Sequence, residues 1–490
     1  MGVCCNSYNA FLGTLLTLCI ACFHSSTGDI ENAPALDALP SFGLSEKNGG
    51  VYIRGEEQSI KSSRRKPNIK ISGAVGAEKV VIVGAGSGAL GLLEALRENG
   101  FKGSITLIGN EGYLPIDRTK LSKALIDDAA KVALRDDAWF KDGAVDVIND
   151  EVTGVDFSGK QVSTKQGGSY PYTKLVLATG GNPRSLPLPG FKELENIFLV
   201  RNIPHIKAIN AAIGQKNKKI VIIGSSFIGM EVANAVSKDN DVTVVGMETA
   251  PLERVMGVQV GQIFQRNLEK NGIKFKLSAG VEKASPSVSD PSRVGSIELK
   301  DGTSLPADLV ILGTGVGPAT NFLRDNNSVE LQKDGSLRTD ENFEVSGLKD
   351  VYAIGDIATY PYHGPGGNGS LTRIEHWNVA QNSGRTVAAH IVNPSGQPKA
   401  FIPIFWSALG AQLRYCGNAP NGWDDLVLHG QPEEGKFAAY YTKGETVVAV
   451  ASMQLDPVMT HASELLRKGA MPTKSELQQG ADILQISVPA

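Results

Sequence analysis

The sequence predicts an α/β chain with two doubly wound parallel units, a C-terminal α+β domain and a short β segment at its start. Three observations predict it. A buried strand, a glycine turn, an amphipathic helix and a second strand ending in an acid occur twice, over residues 79–111 and 219–248. Short β-branched runs that end in glycine follow each copy, at 175–180, 309–315 and 351–356. After about residue 395 the pattern changes, and residues 437–442 and 446–452 read as an antiparallel hairpin across Lys443-Gly444. Strands alternating with helical stretches indicate parallel sheets, and glycine-ended apolar runs indicate buried strands that stop at a ligand.

At 490 residues the chain exceeds a single core and divides into about three domains. The expected divisions are an N-terminal segment and linker (1–72), a first nucleotide-binding domain in two parts (73–195 and 318–395), a second one (196–317) and a C-terminal domain (396–490). A hydrophobic share of 41%, a charged share of 20% and a net charge of −3 leave no disordered or collagenous reading and no footprint for nucleic acid. The one basic cluster, Arg64, Arg65 and Lys66, reads as a solvated linker.

Four of the five cysteines, Cys4, Cys5, Cys19 and Cys22, precede residue 24, and the fifth is Cys416. Nothing between Phe23 and Tyr415 can form a disulfide, which favours a reducing compartment, cytoplasmic or mitochondrial. The apolar run at 11–23 is too short for a stable membrane span of about 20 residues. No Lys or Arg precedes it, and Asn6 stands where an acylation signal takes Ser or Thr, so a signal or anchor is a minor reading.

Gly84-Ala-Gly86-Ser-Gly-Ala89 follows a predicted strand and opens a helix, the setting of a dinucleotide fingerprint. Gly84 permits the tight turn and Gly86 the approach of a pyrophosphate to the helix amides. Ala89 is the small residue where helix meets strand. Glu111 can accept from the ribose hydroxyls. The alternative is a glycine turn in an ordinary strand–helix corner. In the second copy Ser226 replaces the middle glycine between Gly224 and Gly229, and Glu248 can hold an adenosine ribose. With no arginine close behind Glu248, Arg254 being nearest, NADH is favoured over NADPH.

Together with several further motifs, these turns resemble the FAD-dependent pyridine-nucleotide–disulfide oxidoreductase superfamily, in its apoptosis-inducing-factor-like, Rieske-linked ferredoxin-reductase branch. The resemblance covers about residues 76–490. It implies bound FAD, with NAD(P)H as co-substrate. In Pro115-Ile-Asp117-Arg118-Thr-Lys-Leu-Ser-Lys123 it implies that Arg118 and Lys123 reach the flavin, with Glu231 partnering Lys123. Read alone, that loop is charged surface.

Ala178-Thr179-Gly180 resembles the family's hinge at the FAD edge. Gly355-Asp356 resembles its flavin ribityl or phosphate site, and Gly313 and Gly315 its loop against the nicotinamide nucleotide. Each alone reads as a strand-end turn. The segments around Glu375 and Trp377, and around Trp406, resemble those that close over the flavin, while core packing is the plain reading of both tryptophans and His376 reads as structural. Catalytic roles would fall to Lys123, Glu231 and Trp406.

The family's redox cysteine pair has no counterpart after the first helix. Electrons would therefore leave the flavin directly for an external acceptor, a ferredoxin, quinone or small oxidised substrate. Monodehydroascorbate-reductase-like or biosynthetic activity is the alternative, as is a redox-sensing interaction protein. A homodimer stays open. Residues 21–34 are similar to the downstream half of a Rieske domain, with 51–55 as its last strand. A Rieske centre takes two cysteines and two histidines, and His24 is the sole histidine before His205. The expectation is a remnant, or a chain whose start is wrongly defined, with no metal site and no intact cluster.

Overall fold

The computed structural model describes residues 15–18, 21–24, 28–40, 42–63, 65–71, 76–214 and 216–488. Two parallel five-stranded sheets carry the two predicted units. In the first, Gly76–Val83 lies between Lys174–Leu177 and Gly103–Gly109, with Val351–Ala353 and Val145–Asn149 at the edges. In the second, Lys219–Ile223 lies between Leu309–Leu312 and Asp241–Val245, flanked by Ile197–Leu199 and Lys274–Lys276. The runs Val80–Val83 and Ile220–Ile223 are buried; in the second sheet helices cover one face and the small antiparallel sheet of Val281–Pro286, Val294–Leu299 and Ser304–Pro306 covers the other. Because Val351–Ala353 returns to the first sheet, that unit is interrupted by the whole of the second. Gly181–Pro183 and Val316–Pro318 pair as two antiparallel strands linking the two.

The hairpin is Lys436–Lys443 with Thr446–Met453, within a five-stranded antiparallel sheet that begins at Ile404–Ala408. Alternation along the strand sends Phe437, Ala439 and Tyr441 into a core shared with the second unit. Ala438 and Tyr440 go to the core under the helix Val458–Lys468. One sheet face is thus glued to the nucleotide-binding body.

The N-terminal strands Leu15–Leu18, Ala21–His24 and Ile30–Asn32 form an antiparallel sheet, while Gly50–Ile53 pairs with Leu44–Lys47 in a separate hairpin. The acylation-like motif, Cys4, Cys5 and Cys19 lie outside the described residues, as do the side chains of Cys22 and His24. Just beyond the three-stranded sheet the chain is tied to the body. Ala33 donates its N–H to Asn382 Oδ1 (3.0 Å), and its carbonyl accepts from Asn378 Nδ2 (2.6 Å).

Of the basic cluster, Arg65 and Lys66 lie within the described residues, and both are solvated, with side chains 38% and 54% exposed. Arg65 pairs with Asp29 (2.7 Å) and donates to the Leu39 carbonyl, and Lys66 pairs with Asp136. The partners of these two charges are brought within reach only by folding. Among the described residues no helix is long and apolar enough to cross a membrane.

Candidate active site

Both glycine turns are forced by close backbone contact. At Gly84 φ is +104°, and an added Cβ would fall 2.3 Å from the Ala178 carbonyl oxygen; at Gly224 φ is +110° and the Gly313 oxygen would lie at 2.4 Å. Only glycine fits either position. Ala89 is fully buried, and at its counterpart Gly229 a Cβ would strike the Gly224 oxygen at 2.1 Å.

The helix Ser87–Glu98 starts at Gly86 and the helix Phe227–Val236 at Ser226, and neither has a side-chain cap. Although Glu253–Glu269, Trp377–Val392 and Val458–Lys468 also lack a side-chain cap, some other helices are capped, with Asp136, Asn202 and Thr473 each accepting a backbone N–H. Ser226 could do so, yet its Oγ donates to the Gly313 carbonyl (2.8 Å). The first amides of these two helices are left for an anion. A Cβ on Gly86 would meet nothing within 4 Å, so open space faces the turn.

That space belongs to a cavity of about 640 Å³ between the two units and the C-terminal sheet. Gly86, Ala178, Gly180, Gly355 and Asp356 line it from the first unit, and Ser226, Glu231 and Gly315 from the other side. Arg118, Lys123, Glu375, Trp377 and Trp406 complete the predicted residues on its wall. Gly84, Ala89, Gly224, Gly229 and Gly313 stand behind it as packing positions. The Thr179 hydroxyl is buried without a hydrogen-bond partner in the protein. That hydroxyl lies off the cavity wall, but open space at Gly86 and uncapped helix amides are what a bound dinucleotide would fill.

Lys123 Nζ lies 2.9 Å from Glu231 Oε1. Glu231 is buried and also accepts from the hydroxyls of Ser122 and Ser407. Glu111 is off the cavity wall and forms a two-pronged ion pair with Arg118. Arg118 also donates to the Arg201 carbonyl (3.0 Å), and the Arg201 guanidinium faces Asp356 at 3.5 Å. Burial pushes the Glu375 carboxyl above the ordinary carboxylate range, against the pull of Arg373.

The expectation that no arginine accompanies Glu248 fails. Arg254 Nε lies 3.2 Å from Glu248 Oε1, because left-handed Leu252 (φ +60°) turns the chain back so that the first turn of helix Glu253–Glu269 faces the strand end. Ser225 Oγ donates to the other oxygen (3.1 Å).

His376, which the sequence reads as structural, stands in the wall of the site. It lines the cavity, burial pushes its imidazole down to about 4, and its ring stacks on Phe405 at 4.4 Å. Alternation along Ile404–Ala408 sends Phe405 and Ser407 to one face. Trp406 points to the other, packing on the C-terminal core at the cavity's edge. Sequence reasoning missed Ser122, Arg201, Phe405, Ser407 and Tyr415 as wall residues. Ser122 and Ser407 sit inside motifs it had singled out, next to Lys123 and Trp406.

Residues 78–384 match the family model of pyridine nucleotide-disulphide oxidoreductases, and residues 404–485 match a reductase C-terminal domain. The chain belongs to the pyridine nucleotide-disulphide oxidoreductase family. Like others of the family it is an FAD-dependent enzyme that oxidises NAD(P)H and delivers the electrons to an external acceptor. It is 34% identical to human apoptosis-inducing factor 3 over 94% of this chain and 75% of that one. It is 29% identical to the ferredoxin–NAD(+) reductase subunit of the benzene 1,2-dioxygenase system of Pseudomonas putida, over 72% and 84%. Among solved structures, the covalent putidaredoxin reductase–putidaredoxin complex superposes with a TM-score of 0.75 at 26% identity, over 82% of this chain and 95% of that one.

Proposed function

We propose that this oxidoreductase takes electrons from NADH in preference to NADPH and passes them to a small iron–sulfur electron-transfer protein of the ferredoxin kind. The observation that carries the reading is the Lys123–Glu231 pair in the wall of a cavity bounded by both glycine turns, with no cysteine on that wall. Relatives named as ferredoxin reductases, and the similar reductase solved with its redox protein, support a protein acceptor.

FAD supplies, when bound, a group that accepts two electrons from the nicotinamide and can release them singly. Gly86 and the amides opening Ser87–Glu98 would hold its pyrophosphate, Glu111 would set Arg118, and Thr179, Gly180 and Asp356 would hydrogen-bond along its length. Gly224, Ser226, Gly229, Gly313 and Gly315 would seat the nicotinamide nucleotide, with Glu248 at the ribose. Lys123 contributes a fixed ammonium in a partly dry wall, where charge acts strongly. His376 stays neutral, and Phe405, Trp406 and Tyr415 keep water out. Residues 73–195 with 318–395, 196–317 and 396–490 are the domains this division of labour requires. Residues 1–490 hold no Rieske cluster, and iron and acid-labile sulfide assays on protein purified without air test that directly.

Anaerobic mixing with NADH should bleach the flavin, and oxidised ferredoxin should restore its colour. Protein that NADH cannot bleach overturns the proposal; bleached protein that no ferredoxin reoxidises overturns its acceptor.

A further inference from the structure

Glu231 is where three separate stretches of chain meet. It projects from the second unit's helix Phe227–Val236, while Lys123 and Ser122 come from the first unit's helix Thr119–Ala124 and Ser407 from the C-terminal strand Ile404–Ala408. The side chain is 5% exposed. Oε1 accepts from Lys123 Nζ at 2.9 Å and from Ser407 Oγ, and Oε2 accepts from Ser122 Oγ. Both serines are buried, at 8% and 3% exposure. An apolar residue would fill either position, and the one group it would leave short of a donor is Glu231.

The carboxylate needs them. An isolated buried carboxylate is strongly disfavoured, and one cation leaves most of its acceptor capacity open. With three donors on two oxygens its plane has one orientation. The ammonium it holds then has one position.

We propose that Ser407 and Ser122 are positioning residues for Lys123, acting through Glu231, so that the C-terminal domain helps set the reactivity of the flavin site. This rests on the reading that FAD lies against Lys123. It deepens that reading by making the antiparallel sheet part of the redox machinery. The neutral imidazole of His376 lies close enough to feel the Lys123 charge; Glu231 is the sole ionisable group on Phe227–Val236, and Ile404–Ala408 carries none.

The test uses the full chain with FAD bound. Ser407→Ala should keep its FAD content and NADH dissociation constant, and its melting temperature should drop only slightly because Oε1 keeps Lys123. Its limiting rate of flavin reduction should fall about tenfold, the lower end of what a hydrogen bond to a charged group contributes. The midpoint potential should fall as well, since a displaced ammonium stabilises the reduced flavin less. A tenfold change for a two-electron couple is about 30 mV. Ser407→Thr, which keeps the hydroxyl, should restore both.

Unchanged rate and potential in Ser407→Ala overturn the proposal. So does lost FAD with an unchanged rate per bound flavin, the mark of a merely structural serine. Should Ser407→Ala not fold, Ser122→Ala on the other oxygen is read the same way. The potential is measured with a chemical reductant. A wild-type protein that NADH fails to reduce would therefore sink the proposed function while leaving the positioning role separately decided.

Discussion

Seven residues after its opening glycine the first unit has Gly91, and the second unit at the same step has Glu231. The two helices start alike and then diverge. A Cβ on Gly91 would fall 2.7 Å from the Gln381 carbonyl oxygen, and one on Gly384 2.4 Å from the Gly88 oxygen. Glycines on both sides therefore bring Trp377–Val392 against Ser87–Glu98 at near backbone contact, and the first helix is buried almost all round. Glu231 instead carries a charge to Lys123. Gly86 is half-buried where Ser226 is exposed. The same supersecondary unit, locked on every side, suits a cofactor that stays; left open on one side, it suits a co-substrate that comes and goes.

The sharpest test of that contrast is a matched pair of turn substitutions. Gly86→Val adds side chain only to open space, and its backbone (φ −95°) tolerates it, so the protein should fold. FAD affinity should nevertheless drop by at least about 3 kcal/mol, roughly 100-fold, giving colourless protein on gel filtration. Ser226→Val should stay yellow and raise the KM for NADH about tenfold, or about 1.4 kcal/mol. Yellow Gly86→Val, or a Ser226→Val that sheds flavin, would break the assignment of resident and exchangeable sites.

A second difference lies three residues further along, where Glu94 of the first unit corresponds to Asn234 of the second. Glu94 is fully buried between Arg135 (2.9 Å) and Arg385 (3.5 Å), and burial pushes its carboxyl up to about 7 despite both cations. A carboxyl raised in the folded state contributes stability that is full below its unfolded value, about 4.5, and is lost as the pH climbs through about 7. Relative to Glu94→Gln, the wild type should lose up to about 3 kcal/mol between pH 5 and 8. Melting temperatures across that range check it. Parallel slopes for the two proteins would show that the first unit's buried charge does not titrate there.

The parts of this contrast that were legible in the sequence are local ones. Strand, glycine turn and helix lie within some 15 residues, and the steric demand at Gly84 or Gly224 is met by a partner carbonyl that any such fold supplies. Lys123 and Glu231 came from family resemblance, not from spacing, since 108 residues separate them. What stayed illegible depends on chain returning from a distance: Ser407 reaching Glu231, Arg201 facing Asp356, and Phe405 stacking on His376 while Trp406 points to the other face. Strand alternation decides that last point, and it turns on a register no run of five residues reveals. The pairing of solvated Arg65 with Asp29, 36 positions back, stayed illegible for the same reason.

Nucleotide choice shows how one unseen return of the chain alters a functional expectation. Glu248 alone would repel a 2′-phosphate, but Arg254 stands beside it, 78% exposed. Glu248→Gln should remove the repulsion and shift the NADPH/NADH ratio of kcat/KM towards NADPH about tenfold, within the usual range of about 1–3 kcal/mol for coupling between sites.

Arg254→Ala should have the smallest effect. An exposed ion pair contributes little, about 0–1 kcal/mol, because water and salt screen it. Its guanidinium can nonetheless turn from the carboxylate to a phosphate without leaving solvent, so its loss should lower NADPH use by about two- to fivefold and leave NADH nearly unchanged. Steady-state kinetics at low and high salt decide between the two roles. A defect confined to NADPH that fades with added salt assigns Arg254 to the 2′-phosphate. An equal change for both nucleotides would mean that it merely steadies Glu248, and the second unit would then discriminate through that acid alone.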